Sequence, residues 1–394
     1  MVIALLAAVL LQGQPPAQVS LDEAIRRGMV ARGRITEAAA AVAEARAGRR
    51  FASQIPNPVI SYQHTGAAPR QHVSFDQSFS WLVTRGADRA AASAGLRRAE
   101  ADSILLTSGV AAEIRSAFYG ALGSRAAERL AVEQVAVADS LAALARRRFE
   151  AGDISRYEWE QAAQEARRGQ LLLSFAREST RARDAAFARA IGASEPVRPA
   201  ASDPLDGGLD GGTGLALPLD SMPIVAAAVA DSAALAFAAR SAARARLPVP
   251  SLQGGADWDD PAVPGRRFSV LGFAVPLPLW NSGGAEAALA RARADRGAAV
   301  ARETRLEAAQ AVAEARVRLD ETARRARFAR DSLAPAAKSL RERALIAYRL
   351  GETSILSVLD ALRSEREVVQ QQVESLTAFQ SALAAWNALF GRME

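Results

Sequence analysis

His64 and His72 stand eight residues apart around a short loop, close enough in sequence to offer two imidazoles to one metal ion. No thiol or carboxylate partner accompanies them in that loop, so they read as solvated histidines and no metal site is expected. The glycine run GGLDGGTG at 207–214 follows no strand and precedes no phosphate-binding helix, which argues against a nucleotide loop. The chain has no cysteine, and this removes disulfides, thiolate zinc, cysteine nucleophiles and acylation of an N-terminal cysteine. No catalytic triad, paired catalytic carboxylates or H-E-x-x-H appears, so neither enzyme chemistry nor a cofactor is expected. Two acids remain, each shortly after a glycine. Glu158 lies three residues after Ser155, the spacing of a capping box. Asp360 falls in the second turn of a helix, where the helix dipole favours a negative charge.

Those two acids belong to a repeat of about 199 residues. Gly152 in FEAGDISRYEWEQA returns as Gly351 in YRLGETSILSVLDA, Ser155 as Ser354, and Ala162 as Ala361. Trp81 falls on Trp280, Leu21-Asp22 on Leu219-Asp220, and Pro56-Asn-Pro58 has a displaced counterpart in Pro248-Val-Pro250. Matched helix starts, strand pairs and turns in one order imply a duplicated, elongated unit. The organisation expected is a signal peptide over 1–17, a first repeat over 18–200, an irregular segment over 201–218, and a second repeat over 219–394.

Composition agrees with long helices. The 394 residues are 50% apolar but only 6% aromatic, with abundant alanine. The net charge of +6 is almost wholly arginine, since Lys338 is the only lysine. Arginines interleaved with acids mark solvated helix surfaces, and without stacking aromatics they argue against nucleic-acid binding. The apolar start, MVIALLAAVLL, is too short to span a bilayer and suits a leader core. No other run of 18 apolar residues occurs, so no transmembrane helix is expected.

Along the chain, helix is expected from Ser20 to about Ser53, ended by Pro56 and Pro58. Strands follow at 57–64 and 71–82. The second alternates Val73, Phe75, Phe79 and Trp81 with Ser74, Asp76, Ser78 and Ser80, half in apolar and half in polar surroundings. Helix is then expected over 86–149 and 156–191, with a tight reversal at Gly152, irregular structure over 192–218, and helix over 220–246. The outgoing helix matches the combined length of the two later ones, so it could flank both. Strands at 250–258 and 267–279 come next, the second ending near Pro276 and Pro278. Helices at 284–350 and 353–391 complete the repeat, with a bend at Pro335. Four strands cannot close a barrel, for which about eight is the minimum, so strands that span a membrane must be pooled from several chains.

The paired strand–helix entries FDQSFSWLVTRGADRAAASAG and FAVPLPLWNSGGAEAALARARA, the two glycine turns, and PNPVISY together resemble the TolC family of outer-membrane efflux proteins, including its heavy-metal branch. The resemblance covers the chain after the leader. It implies a mainly α fold with a small β part, in which antiparallel helical hairpins form an α-barrel. Each chain of a homotrimer would give four strands to a 12-stranded β-barrel in the outer membrane. Periplasmic adaptor and inner-membrane pump would be the partners, meeting the tips at Gly152, Ser155, Gly351 and Ser354. The channel constriction would involve Asp360, Ser357 (where the family pattern has a second acid), Glu158, and Tyr348, matching a tyrosine that can bond to Glu158. Thr353 replaces an arginine of that pattern. Phe75, Phe79 and Trp81 would face lipid. The implied function is a passive duct in tripartite efflux or type I secretion. A competing reading is a periplasmic coiled-coil adaptor or scaffold, which also uses long hairpins but needs β-domains with enclosed cores.

Overall fold

The computed structural model describes residues 17–195, 197–211 and 218–393, so the expected leader lies, apart from residue 17, outside the described residues. A short strand β1 (Gln18–Val19) leads to helices α1 (Leu21–Ala31) and α2 (Gly33–Phe51). Strands β2 (Val59–His64) and β3 (Gln71–Ser78) precede α3 (Trp81–Glu150) and α4 (Arg156–Ala190). After β4 (Arg198–Pro199) come a 3-10 turn at Leu219–Ser221, α5 (Pro223–Arg244), β5 (Ser251–Trp258) and β6 (Phe268–Ala274). Helix α6 (Gly284–Phe328), a π turn (Ala329–Leu333), α7 (Ala334–Leu350) and α8 (Ile355–Leu389) end the chain.

The duplication is visible in the backbone. Helices α4 and α8 each have 35 residues, and their starts, Arg156 and Ile355, are 199 apart. Their C-caps, Ile191 and Phe390, keep that offset, and so do the positive-φ glycines after them, Gly192 at 69° and Gly391 at 70°. The turn glycines behave likewise, with φ of 82° at Gly152 and 80° at Gly351. An L side chain disfavours this left-handed conformation, which explains glycine at both reversals.

Two compact units cut across the repeats: one comprises 1–35, 105–217 and 310–394, the other 36–104 and 218–309. In the first, Phe118 packs edge-on against Tyr119 and Phe187, with Val19, Ile114 and Ile191 buried around them. Strands β1 and β4 pair in parallel, an element the expected irregular segment did not foresee. The residues after β4 are anchored as well. Gln380 donates to the carbonyls of Leu205 and Gly207, and Leu209 is buried. Arg327 donates to Leu209 O, while Arg330 pairs with Asp206, Asp210 and Asp331. Arg330 lies in the π turn, which sits just before Pro335. The expected bend at Pro335 takes the form of this wider turn, because proline cannot supply its N–H to the α-helical ladder.

In the second unit four strands form one antiparallel sheet in the order β2-β3-β5-β6, so strands of both repeats meet at β3 and β5. Three expectations need correction. The strand expected over 71–82 ends at Ser78, and Trp81 is the first residue of α3, not a strand residue; Phe79 also lies outside the strand. Ser78 Oγ accepts from Ser80 N in the intervening turn, ending the ladder early. The helix expected over 20–53 is broken at Arg32, whose extended backbone separates α1 from α2 while its guanidinium grips Glu113 and the Ala190 carbonyl. Helix α5 is, by length and composition, apolar enough to cross a membrane, contrary to the expectation that none would be. Two of its polar side chains are tied to α3, with Asp231 accepting from Arg98 and Ser241 donating to Asp88, while only 17% of its most apolar window is buried.

Replacing Gly351 by valine is expected to lower the thermal midpoint, since the left-handed conformation costs a branched residue roughly 1–2 kcal/mol. Circular dichroism melts of detergent-extracted protein would check this; an unchanged midpoint would mean the turn can relax.

Candidate functional site

The two inner strands, β3 and β5, largely separate their side chains by chemistry, while the edge strands put Val59, Phe268 and Val270 on the otherwise polar face. In antiparallel pairing, directly opposed residues share a face. One face carries Ser61, His72, Ser74, Asp76, Gln253 and Asp257. They bond to one another across the strands: Ser61 Oγ to Ser74 Oγ at 2.6 Å, and Gln253 and Ser251 to Asp76 at 3.1 Å. The other face carries Ile60, Tyr62, Val73, Phe75, Leu252, Leu271 and Phe273. Much of it is uncovered, with Leu271 82% and Phe273 77% exposed. Phe75 therefore stands on the apolar face, as expected, without Phe79 and Trp81 in the strand beside it. Strands β2 and β6 are the two free edges of the sheet.

His72 lies on the polar face and bonds Asp257 at 3.0 Å, a carboxylate supplied by the other repeat and invisible beside it in sequence. His64 opposes Gln71 and lies on the other face, so the two histidines cannot share an ion. No cluster of three metal-binding side chains occurs among the described residues.

The two glycine turns carry the remaining candidates. Gly152, Ser155, Gly351 and Ser354 are all exposed. Ser155 caps α4 with a complete capping box, in which Glu158 accepts from Ser155 N at 3.0 Å and from Ser155 Oγ at 2.9 Å. Ser354 caps α8 without a side-chain hydrogen bond. Behind the turns both hairpins share a core of Leu141, Ala145, Ala162, Ile355, Val358 and Leu359. Tyr348 is inside that core, 1% exposed, and does not bond Glu158. The guanidinium of Arg148 lies 4.8 Å above its ring and donates to the Tyr348 carbonyl at 3.2 Å, tying one turn to the other. Glu158, engaged in its own cap, is not available to Tyr348.

Ser357 and Asp360 share an exposed side of α8, one turn apart. The Asp360 side chain is 83% exposed and, among the described residues, pairs only with Arg363, at 3.8 Å. Arg363 leads inward. It donates to Glu165 of α4 at 2.9 Å, and Arg366 donates to the other oxygen at 2.6 Å. Glu165 is 3% exposed. Burial pushes its carboxyl up, but the Arg366 and Arg363 guanidiniums outweigh this and leave it below its ordinary range. Glu365, whose acid lies 3.0 Å from Arg341, shows the opposite balance: burial dominates and raises it. The series Asp360, Arg363, Arg366 at three-residue spacing was a readable sign of one charged helix face. Glu165 was not, because its partners lie about 200 residues away. Arg366 also lines an open groove of about 650 Å³ between α3, α4 and α8, together with Gly120, Gly123, Phe175 and Thr377.

No family model and no curated protein matches this sequence. Its fold does match solved structures. A membrane protein from Pseudomonas aeruginosa superposes with a TM-score of 0.77 at 18% identity, covering 94% of this chain and 92% of the other. The CusC channel gives 0.73 at 18%, covering 97% and 96%. The outer membrane protein VceC from Vibrio cholerae gives 0.72 at 20%, covering 95% and 97%. The chain thus has the fold of TolC-like outer-membrane channels, mainly helical with a small sheet.

Because Glu165 is held below its ordinary range, its stabilising contribution is present above that range and is lost as pH falls through the depressed value. Glu165→Gln is expected to lower the melting temperature at pH 7 by several degrees. It should also flatten the loss of stability between about pH 5 and pH 3. Melts across that range would show it; an acid limb as steep as wild type would remove Glu165 from this role.

Proposed function

We propose that this chain is one protomer of a homotrimeric outer-membrane channel. It would act as a passive duct for small molecules or metal ions delivered by an inner-membrane pump through a periplasmic adaptor. The observation that carries the reading is the four-stranded sheet, with an exposed apolar face and two unpaired edges, in a chain with the fold of such channels. Lipid accepts an apolar face but not unpaired backbone groups, so β2 and β6 need partners from other copies. Three such sheets make twelve strands, above the minimum for closure. The polar face would then line water and the apolar face would meet acyl chains.

Exposed apolar residues on α6 are consistent with association of copies. Leu289 and Val300, and further on Val317 and Phe328, are 11 residues apart, a spacing that keeps each pair on one side of a helix. The adaptor reading asks for a β-domain with its own enclosed core, and the exposed apolar face of this sheet speaks against it. Energy would come from the pump, since the duct itself needs no covalent step. In this reading Asp360 and Ser357 line the periplasmic mouth, while the exposed turns at Gly152 and Gly351 meet the adaptor.

Two measurements bear on the proposal. Cross-linking in isolated outer membranes is expected to trap a trimer; recovery of the chain in the salt-soluble periplasmic fraction would favour the adaptor reading instead. In planar bilayers Asp360→Ala is expected to raise single-channel conductance, because a carboxylate projecting into the mouth is removed. Unchanged conductance would take Asp360 out of the constriction.

A further inference from the structure

The junction between sheet and helices in the second unit is strongly basic and strongly apolar at once. Four stretches meet there: the end of α2 (49–56), the start of α3 with its preceding turn (79–89), the end of α5 (240–250), and the segment from β6 into α6 (275–291). Side-chain contacts link them in series. Arg85 donates to Ser53 O at 2.6 Å, Ser241 to Asp88 at 2.5 Å, and Arg246 to Ser282 O at 3.1 Å. Together the stretches hold eight arginines and only two acids, Asp88 and Glu286. Ser241 already engages Asp88, and Asn281 engages Glu286. Arg49, Arg50, Arg89, Arg244 and Arg291 are exposed and have no ion-pair partner among the described residues. The glycine-turn stretches 146–160 and 349–363 differ, with six arginines against six acids.

Between these arginines the chain exposes large apolar groups. Trp280 is 96% exposed, and Leu277, Leu279, Leu247, Phe51 and Leu82 are exposed as well. An indole and several leucines among unpaired guanidiniums match the boundary of a bilayer. There the rings and aliphatic groups enter the headgroup–acyl boundary and the cations meet phosphate. Within the proposed trimer a neighbouring copy would bring the same excess of positive charge, so it suits the strand edges and leaves these guanidiniums to a lipid headgroup.

We propose that this junction is a lipid-binding belt selective for anionic phosphorylated headgroups, with Arg49, Arg50, Arg89, Arg244 and Arg291 as the phosphate contacts and Leu277, Leu279 and Trp280 as the apolar anchor. The proposal rests on the outer-membrane reading and adds the lipid class. Guanidinium suits this task because its planar fork can bind two phosphate oxygens at once.

The test uses the full chain extracted from membranes in mild detergent and mixed with equal amounts of phosphatidylglycerol and phosphatidylcholine. Lipid retained by the intact assembly is counted by native mass spectrometry. Wild type is expected to keep phosphatidylglycerol in preference. Arg49→Gln, Arg50→Gln, Arg244→Gln and Arg291→Gln together should reduce that preference by about tenfold or more. The matching lysine variants, which keep the charge, should retain most of it. These positions make no ion pairs, so folding should survive, and circular dichroism confirms it. Equal retention of the two lipids by wild type, or an unchanged preference in the glutamine variant, overturns the belt. If the chain is first released from membranes by salt alone, the outer-membrane reading itself fails; if it needs detergent but shows no preference, only the belt does.

Discussion

A four-stranded sheet with unpaired N–H and C=O groups along β2 and β6, and an apolar face open on one side, cannot be completed within one chain. In water such edges invite aggregation, and in lipid each unpaired group costs several kcal/mol. Most of the design can be read as an answer to that demand. The polar groups of β2, β3 and β5 satisfy one another through Ser61–Ser74, Asp76–Gln253 and His72–Asp257, leaving the edges and the exposed apolar side chains without partners in the chain. Strands β3 and β5 come from different repeats, so the duplication is what makes the sheet wide enough to matter.

The helical units face a different constraint. Long helices rich in alanine and arginine have little bulk with which to specify their register, so discrete polar clamps do it. Arg330 holds the segment after β4 against the helix carrying the π turn. Arg148 joins the two glycine turns, and Glu165 joins α4 to α8 through Arg363 and Arg366. Breaking the last of these would leave guanidiniums without their acid in partly buried surroundings, a larger loss than a surface pair would cause. The acid expected to matter most, Asp360, is at the exposed end of this same chain of contacts, reaching Glu165 through Arg363.

Local signals were legible where physics is local. The left-handed glycines at 152 and 351 and the capping box at Ser155 and Glu158 were read from a few adjacent residues, and the structure places them so. The end of β3 was misjudged because the alternation of Phe79 and Trp81 continues past the last ladder bond, and only the turn held by Ser78 and Ser80 shows where pairing stops. The break at Arg32 escaped notice because the adjacent Gly33 alone does not end a helix; what holds the break is a distant pair, Glu113 and the Ala190 carbonyl. Tyr348 shows a similar limit, since its type fits both a lumen and a core and only packing shows it buried.

The sequence by itself determined the duplicated order of elements, the reversals, and the mainly helical class, because these follow from periodicity, caps and backbone preferences acting over a few residues. It also set which strand residues alternate. Only the tertiary structure decided that both strand pairs join in one sheet with a polar and an apolar face, that His72 has a carboxylate partner, and that Glu165 is buried between two arginines. Each of these depends on residues roughly 180 to 200 positions apart, and their pairing is set by packing, which no local pattern encodes.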